Sequence, residues 1–247
     1  MNRFKPQNIM YWIALLVISM VFFSFTINQG ALTRLSFDLT ARVLHQGQSA
    51  QTTGTVYYEV TDGLLITKMH TPFNQIVKTT ALGQYSSYEF ETNEVMLSQG
   101  ADFSSKNSFL YTFLSGQIND MGLRKLNFKQ IESNIEDGLL VTTWAAPANT
   151  ANISPFIKIV SENGLPIFMG FYDEQMNITQ KTYYTNYQPV SYLQLPFTIT
   201  EITFTTETDS TITQRQYSNL KLNNEVEKRW IDFEIPSNAK VVSNTSY

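Results

Sequence analysis

The sequence predicts a mainly β protein, an antiparallel sheet of many strands covered in part by one or more short helices. Three features predict it. Apolar residues alternate with polar ones at period two along most of the chain, the pattern of strands with one buried face. Turn pairs such as Asp62-Gly63 and Asn163-Gly164 sit between these runs, where a tight hairpin needs residues that accept positive φ. The clearest departure to helical spacing falls at residues 104–116.

Taken in order, residues 35–43 alternate without a fault: Leu35, Phe37, Leu39, Ala41 and Val43 share one face, and Ser36, Asp38, Thr40 and Arg42 the other. Residues 46–53 read as a polar turn region. Residues 54–72 read as a hairpin closed by Asp62-Gly63 in a type I′ turn, which sets Val60 against Leu65, Tyr58 against Thr67 and Val56 against Met69. That face is almost wholly apolar, whereas Thr55, Tyr57, Glu59, Leu64, Ile66 and Lys68 make a mixed reverse. A one-residue slip would exchange the two faces, so the pattern favours this register. Pro72 cannot donate to a ladder and ends the second strand. Residues 73–80, 83–90 and 95–97 complete six strands at short spacing, a meander in which sequence neighbours pair.

In residues 104–116 Phe109, Leu110, Phe113 and Leu114 recur at helical spacing, Ser104 or Ser105 can cap the start, and Gly116 can end it. The expectation is an amphipathic helix of about three turns, whose apolar face must lie on something. Strands resume at 126–135 and 139–144 around Glu136-Asp137-Gly138, then at 156–160 and 165–172 around Asn163-Gly164. The latter hairpin sets Val160 against Ile167, Ile159 against Phe168 and Phe156 against Phe171. Both of its faces are apolar, so both need cover. Residues 178–187, 197–205, 212–222 and 230–235 finish the count, Pro236 stopping the last strand. Between Ile199 and Ile202 the alternation changes phase, which reads as a bulge.

Composition narrows the function. The 247-residue chain carries a net charge of −4 and shows no clustered Lys and Arg, which argues against a nucleic-acid surface. It has no cysteine, removing disulfides, thiolate metal sites and cysteine nucleophiles. Arg3 and Lys5 precede an uninterrupted apolar run at 9–25, the order of a Sec signal peptide or signal anchor. Residues 1–30 are therefore expected to be a signal peptide or N-terminal signal anchor, and residues 31–247 a single β domain. This places the protein in the periplasm, or anchored in the inner membrane and facing the periplasm, with membrane contact through the N-terminal segment if it is uncleaved.

Enzyme motifs are absent: no nucleophile elbow, phosphate loop, zinc-protease helix or dinucleotide fingerprint. The two histidines, His45 and His70, fall at strand ends, and Glu89, Glu91 and Glu94 read as a solvated strand face. No catalytic residue, cofactor or metal site is expected. The remaining feature is the amount of apolar and aromatic strand surface beside an apolar helix. It fits a solid sandwich core, or an apolar concavity closed by the helix.

The order of elements resembles the LolA/LolB family of periplasmic lipoprotein carriers. The resemblance rests on Gly54-Thr55-Val56-Tyr57-Tyr58, on a strand over 64–72 ending in Pro72, on Ile76-Val77 and on residues 83–90. It rests further on the helix motif at 109–116 (FLYTFLSG) and on Ile231-Asp232-Phe233-Glu234-Ile235-Pro236, read as a closing strand. It implies a half-barrel whose concave face, partly closed by helices, accepts lipid or lipoprotein acyl chains without catalysis. The expected lining is Val56, Tyr58, Val60, Leu65 and Met69, with Phe109 and Phe113 as cover. An alternative remains open: a membrane-anchored β scaffold of the cell envelope, with a filled core, binding a protein partner.

Overall fold

Period-two alternation becomes strand almost wherever it occurs. In the computed structural model, which describes residues 31–148, 153–206 and 209–242, a first meander comprises β1 (Arg34–His45), β2 (Gln48–Glu59), β3 (Leu64–Thr71), β4 (Gln75–Thr79), β5 (Gln84–Glu89) and β6 (Glu94–Gln99). A second comprises β7 (Lys129–Glu136), β8 (Leu139–Ala145), β9 (Phe156–Glu162), β10 (Leu165–Tyr172), β11 (Ile178–Val190), β12 (Leu193–Phe204) and β13 (Ser210–Leu222). They join where β1 pairs antiparallel with β13, Leu39 opposite Tyr217 and Ala41 opposite Arg215. A short β14 (Lys240–Val242) adds parallel to β6. The described strands form one sheet in the order β14-β6-β5-β4-β3-β2-β1-β13-β12-β11-β10-β9-β8-β7, a curved, unclosed half-barrel.

Because β6 and β7 lie toward opposite ends of that sheet, the connection between them, residues 100–128, has to cross a face. It carries 3-10 turns at Ala101–Phe103, Ser105–Asn107 and Leu123–Leu126, and a helix α1 (Phe109–Leu114). The helix is shorter than its periodicity predicts. Ser108 has extended backbone (φ −77°, ψ 149°) and caps α1, its Oγ accepting from Tyr111 N at 3.2 Å, while Ser104 caps only the preceding 3-10 turn. A satisfied cap there stops the helix from extending toward the chain start.

The turns explain where register departs from expectation. Gln46-Gly47, Asp137-Gly138 and Asn163-Gly164 each have positive φ at both residues, so each closes a two-residue hairpin. The first lets β2 begin at Gln48, inside the segment expected to be a turn. Gly63 has φ +63° but Asp62 does not share the positive range, so no type I′ turn forms there and the loop lengthens. Tyr58 then pairs with Leu65 and Val56 with Thr67, two residues from the expected register. A slip of two preserves which side chains share a face. Beyond Asn163-Gly164 the expected pairing holds at Pro166 opposite Ser161, then a bulge at Ile167 sets Phe168 against Val160 and Met169 against Ile159. No bulge occurs between Ile199 and Ile202, which pair regularly with β11 and β13.

Two cores lie on opposite faces. On the inner face Leu35, Phe37, Val56, Tyr58, Phe197 and Ile199 pack with Leu110, Phe113, Leu123 and Phe128 of the crossing segment. On the outer face Tyr57, Ile66, Ile76, Tyr88 and Val95 are covered by Val226, Ile231, Trp230, Phe233 and Ile235. Each fully buried side chain of this size contributes about 1.5–3 kcal/mol. The C-terminal cover overturns the expected strand over 230–235. Residues Lys228–Ile231 form a helical turn, α2, and Phe233 O accepts from Lys78 Nζ at 2.7 Å instead of joining a ladder. The apolar run at 9–25 lies outside the described residues, among which no helix is long and apolar enough to cross a membrane.

Candidate functional site

The inner face is not filled throughout. A cavity of about 540 Å³ lies between α1 and the sheet, walled by Val56 and Leu65 from the first meander, Met169, Phe171 and Tyr217 from the second, and Phe109 from α1. Such a volume and such walls suit a small apolar ligand. The crossing segment holds its place by a chain of hydrogen bonds. Ser105 Oγ donates to Gly63 O, Ser108 Oγ donates to Ser105 O at 2.6 Å, and Ser104 Oγ donates to Ala81 O at 3.0 Å. Phe109 stacks 5.0 Å from Tyr217, and Phe113 lies 6.0 Å from Tyr184 and 6.2 Å from Tyr187. The lid is thus pinned at its start to the β3 turn and along its apolar side to β11 and β13.

The residues expected from the sequence divide into groups. Val56, Leu65 and Phe109 line the cavity. Tyr58 and Val60 border a separate pocket of about 220 Å³ under the other end of α1. Phe113 is fully buried in the inner core. Met69 lies at the edge of β3 beside Gln75, whose Nε2 approaches its Sδ at 3.0 Å. The missed residues come mainly from the second meander. Met169, Phe171, Tyr184, Ile199 and Tyr217 all belong to strands recognised as apolar, but only the β1–β13 pairing brings them opposite Val56 and Leu65.

Two charges also face the cavity. Arg215 Nη1 lies 3.6 Å from Glu201 Oε2, a diagonal pair across β12 and β13, with side chains 38% and 30% exposed. A partly solvated pair at that separation contributes at most about 1 kcal/mol. Ile199, two residues before Glu201, is 4% exposed, so the charges stand where the apolar cavity meets solvent. They reach its tyrosines. Burial pushes Tyr217 up to about 12, Arg215 opposing, and pushes Tyr184 above the ordinary tyrosine range with Glu201 adding to the effect. The change of phase between Ile199 and Ile202 was the available signal for Glu201: the strand alternates regularly, and a carboxylate occupies an inward position.

On the outer face a wider groove of about 920 Å³ is bordered by Phe168, Tyr172, Tyr183, Phe204 and Lys181. Among the described residues no lid covers it, and Tyr183 and Met176 stay exposed. Among the described residues no three or more His, Asp or Glu side chains converge as a metal site.

No family model matches the chain, and no curated protein does. Solved structures do. A DUF1329 family protein from Desulfovibrio piger is 9% identical and covers 82% of this chain and 90% of its own, with a TM-score of 0.58. A putative outer membrane lipoprotein-sorting protein domain from Vibrio parahaemolyticus is 12% identical, covering 81% of this chain and 89% of its own, TM-score 0.57. A LolA superfamily protein from Nitrosomonas europaea is 9% identical, covering 81% and 91%, TM-score 0.52. At these identities the likeness establishes the fold, which is LolA-like.

Proposed function

We propose that this chain is a non-catalytic carrier that takes acyl chains of a lipid or lipoprotein into the inner cavity, on the periplasmic side of the inner membrane. The observation that carries the reading is the space of about 540 Å³ between α1 and the sheet, with Val56, Leu65, Phe109, Met169 and Phe171 in its wall. A filled core, as a pure scaffold would have, leaves no such space. Each methylene moved from water into it is favoured by about 0.8 kcal/mol. The likeness in fold to a lipoprotein-sorting domain supports the reading, and Arg3, Lys5 and the apolar run at 9–25 support export. Val56, Leu65 and Phe109 are the wall contacts in this reading, Tyr58, Val60 and Phe113 hold the lid side, and Met69, further along β3, lies outside the wall.

The test is uptake of fluorescently labelled palmitate by delipidated protein. Leu65→Asp sets a carboxylate in the wall and is expected to weaken uptake about tenfold or more, with Met69→Asp weaker in effect. Wild-type protein that takes up no palmitate, or Leu65→Asp binding as wild type does, sinks the reading. The uncovered aromatic groove around Tyr183 favours a second reading, an envelope scaffold that binds a protein partner on its outer face. Loss of a co-purifying protein on Tyr183→Ala, with palmitate uptake absent from wild type, would select it.

A further inference from the structure

The cavity's charge pattern carries a statement about the ligand's head group, resting on the carrier reading above. Among the described residues, Glu201 and Arg215 are the only charged ones lining the cavity. They are one of each sign, 3.6 Å apart, and more exposed than the apolar residues beside them on the same strands: Ile199 is 4% and Tyr217 8% exposed. The lining therefore combines apolar side chains and neutral polar ones such as Thr67, Gln180 and the buried Thr182 with a single, more exposed charged pair. At 3.6 Å the pair is longer than a charge-assisted hydrogen bond of about 2.7–2.9 Å, so neither group is saturated by the other.

An entering ligand meets both charges. A head with only negative charge gains Arg215 and is opposed by Glu201, and a positive head meets the reverse. An uncharged ligand reaching the rim desolvates the pair with nothing in exchange. A head that carries both signs, its anion toward Arg215 and its cation toward Glu201, completes both. We infer that the site takes a zwitterionic amphiphile, an acyl chain bearing an ammonium–phosphate head, with the chain among Val56, Leu65, Met169 and Phe109 and the head on the Arg215–Glu201 pair.

The experiment compares one tail with four heads, each below its micelle concentration: dodecylphosphocholine, laurate, dodecyltrimethylammonium and dodecyl maltoside, binding to delipidated protein by calorimetry. Wild type is expected to bind dodecylphosphocholine about fivefold tighter than any of the other three. Glu201→Gln is expected to move the preference to laurate, and Arg215→Gln to dodecyltrimethylammonium. The double variant Glu201→Arg with Arg215→Glu keeps a pair and should keep the zwitterion preference, and it decides the matter if a single variant fails to fold by circular dichroism. Equal binding of all four heads, unmoved by the variants, overturns the head-group inference while leaving the carrier reading intact. Absence of binding by every probe overturns both.

Discussion

At Gly54 the sheet has no room for a side chain. A Cβ there would stand 2.6 Å from Lys68 O and 3.3 Å from the Cα of Met69, where β2 and β3 pass a register shift between Thr53 and Gly54. The atoms it would strike are backbone, which cannot swing aside as a side chain would. Gly54→Ala is therefore expected to destabilise the protein by about 1–3 kcal/mol, measurable by urea unfolding, with Gly100→Ala as the control for residue type because Gly100 has extended backbone and a Cβ there meets only the Phe103 side chain at an ordinary 3.6 Å. Lys68 shows a different residue-scale outcome. It is 5% exposed, bonded to Asn74 and to Met69 O, and set 4.3 Å over the Phe90 ring and 5.6 Å over Trp230. Burial holds its ammonium below the ordinary lysine range. In sequence it was one of several polar residues that made the β2–β3 reverse face read as mixed. Its long stem and the aromatic rings that cover it, supplied from distant parts of the chain, explain why that face is instead a core.

At the scale of elements, the two faces of the β1–β6 meander are separable. The inner face carries α1 and the cavity, and the outer face carries α2 and the segment that follows it. Trp230 lies 6.3 Å from Phe90 and 6.1 Å from Phe233, and Phe233 5.6 Å from Phe90. Phe233 is partly buried, so Phe233→Ala is expected to cost about 1–3 kcal/mol while leaving palmitate affinity of the folded protein unchanged. Matched unfolding and binding curves check both halves, and a loss of affinity would show that the two faces are coupled. The hairpins were legible to differing degrees for local reasons. Asn163-Gly164 behaves as its sequence implies because both residues accept positive φ. Asp62-Gly63 does not, and Val60 N instead donates to Thr33 O at 2.8 Å, a partner the dipeptide says nothing about. In β12 the regular pairing of Ile199, Glu201 and Ile202 shows that a broken apolar rhythm marked an inward-facing charge rather than a bulge.

Across the whole molecule, tyrosines couple the fold to pH. Burial, the largest cause in each case, pushes Tyr57, Tyr58 and Tyr217 up to about 12, and pushes Tyr184 and Tyr187 above the ordinary tyrosine range. Unfolded tyrosine ionises near 10 while these stay protonated in the fold. Their contribution is thus fully present below about pH 10 and is lost as pH rises through about 12, by about 1.4 kcal/mol per pH unit for each. The folding free energy from urea titrations is expected to fall steeply over that window, and Tyr217→Phe should make the fall shallower. Lys68 and Lys78, both held low chiefly by burial, act with opposite sign. The penalty for keeping them charged is relieved as pH rises toward the ordinary lysine value.

The sequence by itself determined the strands of the two meanders, though not the ends of every one, most of the turns and which residues share a face, because period two and the φ demands of turn residues are local properties; the closing strand expected over 230–235 is a helical turn instead. It also located an apolar helix that had to cover something. Tertiary structure alone decided that β1 closes against β13, that residues 100–128 cross the inner face, and that residues 226–235 seal the outer one. The same long-range pairing brings Glu201 and Arg215 into one cavity with Val56 and Leu65. The physical reason is that a strand's pattern states that a face is buried but carries no mark of what buries it. The partner is chosen by the packing of segments far apart in the chain, and the cavity exists only where that packing stops short of filling the sheet's curve.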